Sequence, residues 1–404
     1  MTESQKDLVK ATVPVLRESG VALTSYFYNR MLSNNPELKE TFNMGHQRSG
    51  AQAQALAGAV LAYAENIDDP SVLAPVIELI AHKHVSLNIQ SPDYAIVGEN
   101  LLHSISEVLS ISMDDPLIEA WGVAYGQLAD VFINAEKAIY EQHQQTKGSW
   151  LGWRSFKIAK KVQESSEITS FYLKPSDDGD LPTHQAGQYI SVRVLVEELG
   201  LKQPRQYTLS DSPQQDYLRI SVKREDEKGD LAGGWVSNTL HGLTEGAEIE
   251  VSAPTGNFFL FDKDRPNVLI SGGVGLTPMI SMLNHLASLD MPESVYFYHA
   301  CRNGKVHAMK SHVQELNAKF PQLTHLVAYE FPETHDQLGQ DYDIAGRLDL
   351  SALSDDQLPK DADYYLCGPM PFMAEQQKAL VARGIPAENI HSEAFGTGGV
   401  KLSA

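Results

Sequence analysis

One stretch constrains the fold more than any other. Val268-Leu-Ile-Ser-Gly-Gly-Val-Gly-Leu-Thr-Pro-Met279 reads as an apolar strand, a glycine turn and a helix opening at Pro278. Glycines let a backbone approach a ligand closely, and helix-start N–H groups favour phosphate or pyrophosphate. The spacing is not G-x-G-x-x-G, so on its own the stretch is either a phosphate cradle or a tight strand–helix turn. Tyr365-Leu-Cys-Gly-Pro369 repeats the device, with Pro369 and Pro371 leading into another helix. Two such turns at the carboxyl ends of parallel strands outline one crevice. Gly272, Gly273, Val274, Gly275, Leu276, Thr277, Cys367, Gly368 and Pro369 are its candidate nucleotide contacts. Cys367 could instead be a small buried apolar group.

The surrounding pattern supports a parallel α/β domain over 266–404. Apolar strands at Val268–Ser271, Val295–Cys301, Thr324–Tyr329, Tyr364–Cys367 and Ile390–Ala394 alternate with helices near 277–289, 307–319 and 371–383. Upstream, Phe156–Val162, Ile168–Lys174, Tyr189–Val196, Arg205–Leu209, Leu218–Lys223 and Glu248–Ser252 alternate in polarity with Gly and Pro between them. They predict a small antiparallel β-barrel within 152–262. Residues 1–146 show helical periodicity and no convincing strand, so this part is all-α. Helices are expected near 3–11, 13–33, 36–42, 48–66, 73–85, 92–110 and 116–143. Pro14 and Pro36 mark helix starts, where a missing N–H costs little. Gln52, Leu56, Ala59 and Tyr63 share one face of the fourth helix. His143 to Trp153 breaks the pattern and forms a linker.

Composition narrows the function classes. The 404 residues carry 32 Lys+Arg against 52 Asp+Glu, a net charge of −20. Acidic side chains outnumber basic ones on both sides of residue 146, so no part is a basic module for nucleic acid or an anionic membrane. The longest apolar run, Val72 to Ala81, contains Pro75 and Glu78 and is too short to span a bilayer. The N-terminal MTESQKDLVK has no apolar core behind a basic start, so no secretory leader is expected. Two well-separated cysteines, Cys301 and Cys367, suit a reducing compartment. A cytoplasmic monomer acting on small molecules is expected, without an obligatory membrane partner.

Taken together, the glycine turn and the Cys-Gly-Pro turn resemble the ferredoxin–NADP reductase family. Arg205-Gln-Tyr-Thr208 fits that family's R-x-Y-[ST] flavin motif, Gly187-Gln-Tyr189 its G-Q-[YF] strand, and Gly234-Trp-Val-Ser237 its pyrophosphate turn. The resemblance implies FAD held by Tyr189, Arg205, Gln206, Tyr207, Thr208 and Ser237. The tyrosine of the motif would stack on the isoalloxazine ring, and the arginine fork would face the pyrophosphate. Where a Rossmann-type NAD site usually has an acidic residue, the second strand is followed by Arg302. Arg302 could accept a 2′-phosphate or sit in solvent, leaving NADH and NADPH both open.

The helical part resembles a globin. Tyr28, Phe42, Gln52, Leu56 and His84 have the order and rough spacing of a haem pocket, and the segments around Tyr26–Met31 and Asn35–Met44 closely resemble bacterial flavohaemoglobins. That likeness covers essentially the whole chain. It implies haem b with His84 as the iron ligand. Phe42 would pack on the porphyrin, Tyr28 would donate a hydrogen bond to the oxygen ligand, and Gln52 and Leu56 would line the distal side. Tyr94 and Glu136 match the family's proximal tyrosine and glutamate, and Lys83 a position at the haem edge. His82, two residues from His84, points elsewhere. At the C-terminus, Glu393, Ala394, Phe395, Gly396 and Thr397 match a segment returning to the flavin, although the family usually has proline where Thr397 stands and often cysteine at Ala394.

The resemblance implies nitric oxide dioxygenation: NO and O₂ become nitrate at a haem re-reduced by NAD(P)H through FAD, detoxifying nitric oxide. Two alternatives stand beside it. One is a haem-based oxygen carrier or gas sensor with a maintenance reductase. The other is a general NAD(P)H oxidase or ferric/flavin reductase.

Overall fold

The computed structural model describes residues 1–227, 229 and 233–396. Contacts divide the described residues into two compact units. One comprises Met1–Trp153 with Arg193–Arg205, and the other Arg154–Val192 with Gln206–Gly396.

The helical unit contains α1 (Glu3–Ala11), α2 (Val13–Asn34), α3 (Met44–Ser49), α4 (Ala51–Glu65), α5 (Ala74–Ser86), α6 (Asp93–Leu109) and α7 (Pro116–Gln145). Local chemistry sets the ends. Thr2 and Gln5 form a reciprocal capping box on α1, and Asp115 caps α7 ahead of Pro116. Two expectations are corrected. The helix expected over 48–66 is broken at Gly50, whose φ of +74° places it in the left-handed region between α3 and α4. The segment expected as helix over 36–42 is a 3₁₀ turn, Pro36–Glu40. Phe27, Tyr28, Met31, Ala53, Ala64, Leu101, Ile105 and Trp121 make the core, with Phe42 and Leu56 packed at its edge. Gln203 joins this unit. Its Oε1 accepts from the N–H of Met44 at 3.0 Å, and its Nε2 donates to the carbonyl of Lys39 at 2.7 Å.

The first sheet holds β1 (Arg154–Gln163), β2 (Ile168–Pro175), β3 (Tyr189–Val196), β4 (Leu201–Thr208), β5 (Leu218–Lys223) and β6 (Glu248–Val251), in the order β4-β3-β6-β1-β2-β5. β1 runs antiparallel to β2 and β6, and β2 antiparallel to β5. A bridge between Leu209 and Ile220 joins the two edges, as barrel closure requires. β4 begins at Leu201, four residues before the strand expected at 205–209. The helix α8 (Trp235–Gly242) was not expected from the sequence.

The second sheet is parallel. It holds β7 (Asn267–Gly272), β8 (Val295–Cys301), β9 (Leu323–Tyr329), β10 (Ile344–Ala345), β11 (Asp363–Cys367) and β12 (Ile390–Glu393), ordered β10-β9-β8-β7-β11-β12. Helices α9 (Leu276–Ser288), α10 (Lys310–Lys319) and α11 (Met370–Ala382) connect them. Both faces are covered, so β7 and β11 are buried along their whole length. The strand order reverses between β7 and β11, where such sheets bind ligands. α9 opens at Leu276 rather than Pro278, after a 3₁₀ turn at Gly273–Gly275, and α10 opens at Lys310 rather than 307.

Candidate functional site

On the helical unit, α5, α6 and α7 bring His84, Tyr94 and Glu136 together. His84 Nδ1 lies 2.8 Å from Glu136 Oε1 and 3.0 Å from the Tyr94 hydroxyl. The Tyr94 hydroxyl also donates to the same carboxylate oxygen. Glu136 is only 3% exposed, so these two partners satisfy a carboxylate that would otherwise be costly to bury. Burial, then the hydrogen bond to Glu136, holds the Tyr94 hydroxyl well above the ordinary phenol range. Phe132 packs 5.7 Å from the His84 ring and stacks on Tyr94. With Nδ1 engaged, Nε2 across the ring is the nitrogen oriented for a ligand bond.

Tyr28 is 7% exposed and lies edge-on to Phe42 at 5.7 Å. Burial raises its hydroxyl well above the usual range, and a hydrogen-bond influence from Gln52 pulls the other way. Gln52 Oε1 is buried without a hydrogen-bond partner, an acceptor left open beside Tyr28. Lys83 is held below the usual ammonium range by burial and then by Arg205. His46 is pushed down to about 4 by burial, with Arg205 and Lys83 adding to it. Among the described residues no group of three or more His, Cys, Asp or Glu is arranged around a bare ion. A lone histidine backed by a carboxylate is an arrangement that would fit an iron held by a porphyrin. An open groove along α5 and α7, lined by Ala81, His82, Ala135 and Ala138, uses the face that His82 presents and carries none of these side chains.

The flavin-motif residues fall on and around the first sheet. Tyr189 exchanges backbone hydrogen bonds with Thr255. A Cβ on Gly256 would lie 2.9 Å from the Tyr189 ring, so only glycine allows this closeness. Gln206 Nε2 donates to Ser191 Oγ at 2.9 Å. Tyr207 is half-buried and Thr208 buried. Arg205 Nη1 donates to the Pro204 carbonyl, and its guanidinium lies against Gly45 in the helical unit. Ser237 sits in the first turn of α8, where its Oγ accepts from the N–H of Glu225 and donates to the Gly234 carbonyl.

In the parallel sheet the two glycine turns touch. A Cβ on Gly275 would lie 2.3 Å from the Cys367 carbonyl oxygen, and one on Gly368 would lie 3.0 Å from the Gly272 nitrogen. Gly273, at φ +55°, has open space where its Cβ would be. Val274, Leu276 and Thr277 complete the turn into α9, and Pro369 precedes α11. Cys367 is fully buried and its thiol is pushed well above the usual range, by burial first and then by Glu393. Glu393 is the register neighbour of Cys367 on β12. Its Oε2 is walled off without a hydrogen-bond partner, and burial raises the carboxyl to about 8. Ala394 follows, then Phe395, exposed, and Gly396 in the left-handed region. Thr397 lies outside the described residues.

Sequence reasoning missed two things here. Gly256 is required by the Tyr189 ring, and Arg302 is ion-paired with Glu167 instead of being free. An isolated glycine in a loop offers no signal, and the ion pair joins residues 135 positions apart.

A carboxylate-backed histidine in a helical unit, followed by a closed antiparallel sheet and a doubly wound parallel sheet, defines a class: a globin joined to a flavin- and nicotinamide-dependent reductase. Family models agree over successive segments. A globin model matches residues 25–132, an oxidoreductase FAD-binding domain 155–260 and an oxidoreductase NAD-binding domain 269–378. The flavohemoprotein of Bordetella parapertussis is 57% identical over 396 residues, 97% of this chain and 98% of the relative. That of Chromobacterium violaceum is 53% identical over 98% of each. A flavohemoglobin crystal structure from Malassezia yamatoensis, with bound FAD and haem, superimposes with a TM-score of 0.86 at 28% identity, covering 98% of this chain and 99% of that one. The chain belongs to the flavohemoprotein family and is an oxidoreductase. No helix among the described residues is long and apolar enough to cross a membrane.

Proposed function

We propose that this chain is a nitric oxide dioxygenase that converts NO and O₂ to nitrate with electrons from NAD(P)H. The observation that carries the reading is the buried Glu136 carboxylate shared by the half-buried His84 and Tyr94. A carboxylate accepting from the imidazole makes the ring more electron-donating, which favours O–O bond activation over reversible oxygen carriage. The FAD/NAD-binding domain of nitric oxide dioxygenase from Vibrio cholerae, 37% identical over 60% of this chain with a TM-score of 0.55, adds support.

When bound, haem supplies oxygen binding and one-electron chemistry, FAD divides a hydride's electron pair into single electrons, and NAD(P)H supplies the hydride. The balance is simple. NO, O₂ and one electron make one nitrate, so each NAD(P)H supports two.

The chain's own residues then have defined work. His84 would hold the haem iron through Nε2, and Glu136 and Tyr94, both at Nδ1, fix its ring and tautomer. Tyr28 would donate a hydrogen bond to a distal ligand, with Gln52 and Leu56 lining that side, and Phe42 and Lys83 would help hold the porphyrin. Tyr189, Arg205, Gln206, Tyr207, Thr208 and Ser237 would bind and orient the flavin, with Glu393 to Gly396 serving it from the end of β12. Gly272 to Thr277 and Cys367 to Pro369 cradle the dinucleotide, their glycines admitting it against bare backbone. We place the three working parts near 1–146, 152–262 and 266–404, in a cytoplasmic monomer.

The test is a pulse of nitric oxide added aerobically to the haem- and FAD-loaded protein with NADH. The expected result is rapid NADH loss that stops when nitric oxide is spent, with two nitrates formed per NADH. Equally fast oxidation without nitric oxide would instead indicate a general NADH oxidase.

A further inference from the structure

Coenzyme choice is written into the loop after β8. The inference rests on the proposed reading of the β7/β11 crevice as the NAD(P)H site. In such sheets the first strand's glycine turn takes the pyrophosphate, and the end of the second strand faces the adenosine ribose. An acidic residue there holds the ribose hydroxyls, and an available arginine accommodates a 2′-phosphate. Here β8 ends at Cys301 and is followed by Arg302-Asn303-Gly304-Lys305.

Neither cation of that loop is available. Arg302 Nη2 is ion-paired with Glu167 Oε2, the arginine side chain 49% exposed and the glutamate 20%. Lys305 Nζ lies 2.7 Å from Glu333 Oε2. The turn that presents Glu167, between β1 and β2, is tied down on both sides. The N–H of Ser166 donates to the Lys305 carbonyl at 3.0 Å, and the N–H of Arg224 donates to the Glu167 carbonyl at 2.7 Å. Asp336 adds a third carboxylate, accepting from the N–H groups of Gly304 at 3.3 Å and Glu333 at 2.7 Å. Arg224, a third cation facing Glu167, is itself paired with Asp226 at 2.7 Å, so four carboxylates stand against three cations around this loop.

We propose that Glu167 sets the coenzyme specificity of this site by neutralising Arg302, making it selective for a dinucleotide without a 2′-phosphate. A ribose 2′-phosphate is close to a dianion at neutral pH. To reach Arg302 it must displace a fixed carboxylate with two more nearby. A ribose 2′-hydroxyl is uncharged and has no such conflict, so the ion pair stays intact. The arginine that looks like a 2′-phosphate hook is a held one.

The test compares adenosine 5′-monophosphate with adenosine 2′,5′-bisphosphate by calorimetry on the haem- and FAD-loaded full chain. In parallel, anaerobic flavin reduction is followed with NADH and with NADPH. The native protein is expected to favour the monophosphate and NADH by roughly tenfold or more, the scale of one partly screened charge contact. Glu167→Gln should shrink that ratio by about tenfold, through tighter bisphosphate binding and a lower KM for NADPH, with kcat and monophosphate affinity held. Glu167→Ala should move the same way, and adding Arg302→Ala to Glu167→Gln should remove the gain. A native preference for the bisphosphate, or equal weakening of both nucleotides in the Glu167 variants, would overturn the proposal. If neither nucleotide binds and neither coenzyme reduces the flavin, the reading of the crevice falls and the proposal with it.

Discussion

Tyr28→Phe deletes one hydroxyl and leaves the ring's packing against Phe27 and Phe42 in place. If that hydroxyl donates to the oxygen ligand, its loss costs about 1 kcal/mol, the net worth of one hydrogen bond. Oxygen should then dissociate roughly fivefold faster, measured by flash photolysis, and an unchanged rate would remove Tyr28 from the distal site. On the other face, Glu136→Gln keeps the shape of the His84 partner and removes its charge. The haem midpoint potential should rise and nitrate formation should slow about tenfold or more, as outer-shell replacements at metal ligands commonly do. Glu393 gives a third expectation. Its carboxyl is raised to about 8 from an ordinary 4.5, so the fold favours the protonated form. The unfolded chain ionises first, so this residue's stability contribution is full below about 4.5 and is lost as pH rises through about 8. Glu393→Gln should flatten that loss in denaturant titrations across the same window.

At the scale of elements, the glycine turns make the sharpest demand. Gly275→Ala places a methyl 2.3 Å from the Cys367 carbonyl oxygen, where backbone and not a flexible side chain must give way. Overpacking of this kind costs on the order of 1–3 kcal/mol and shifts the turn. Flavin reduction by NADH should fall sharply in Gly275→Ala while FAD stays bound, and equal retention of coenzyme turnover would show that the turn does not cradle the dinucleotide. These turns were legible in the sequence because strand, glycines and helix lie within a dozen residues. Most helices were legible for the same local reason, with Pro14 in the first turn of α2, whereas Pro36 opens only a 3₁₀ turn. The break at Gly50 was not, because the alanine-rich run beyond it continues the helical pattern and only the backbone angle reveals the corner. α8 was hidden by its brevity, eight residues of mixed propensity. The His84, Tyr94 and Glu136 set was found only through family likeness, since its members lie on three helices.

For the whole molecule, the net charge of −20 has a particular consequence. FAD and NAD(P)H are anions, so local devices and not the overall field must hold them. On the proposed reading those devices are the glycine turns, the helix start at Leu276 and Arg205. The paired state of Arg302 and Lys305 shows the same economy, with cations matched to carboxylates beside the crevice. The central claim is that both atoms of O₂ enter nitrate. It is tested most directly by turning over the haem- and FAD-loaded protein with NADH, unlabelled nitric oxide and heavy-isotope dioxygen, then weighing the product. Nitrate carrying two heavy oxygen atoms is the predicted result, and water or peroxide carrying the label, with nitrate unlabelled or absent, would contradict it.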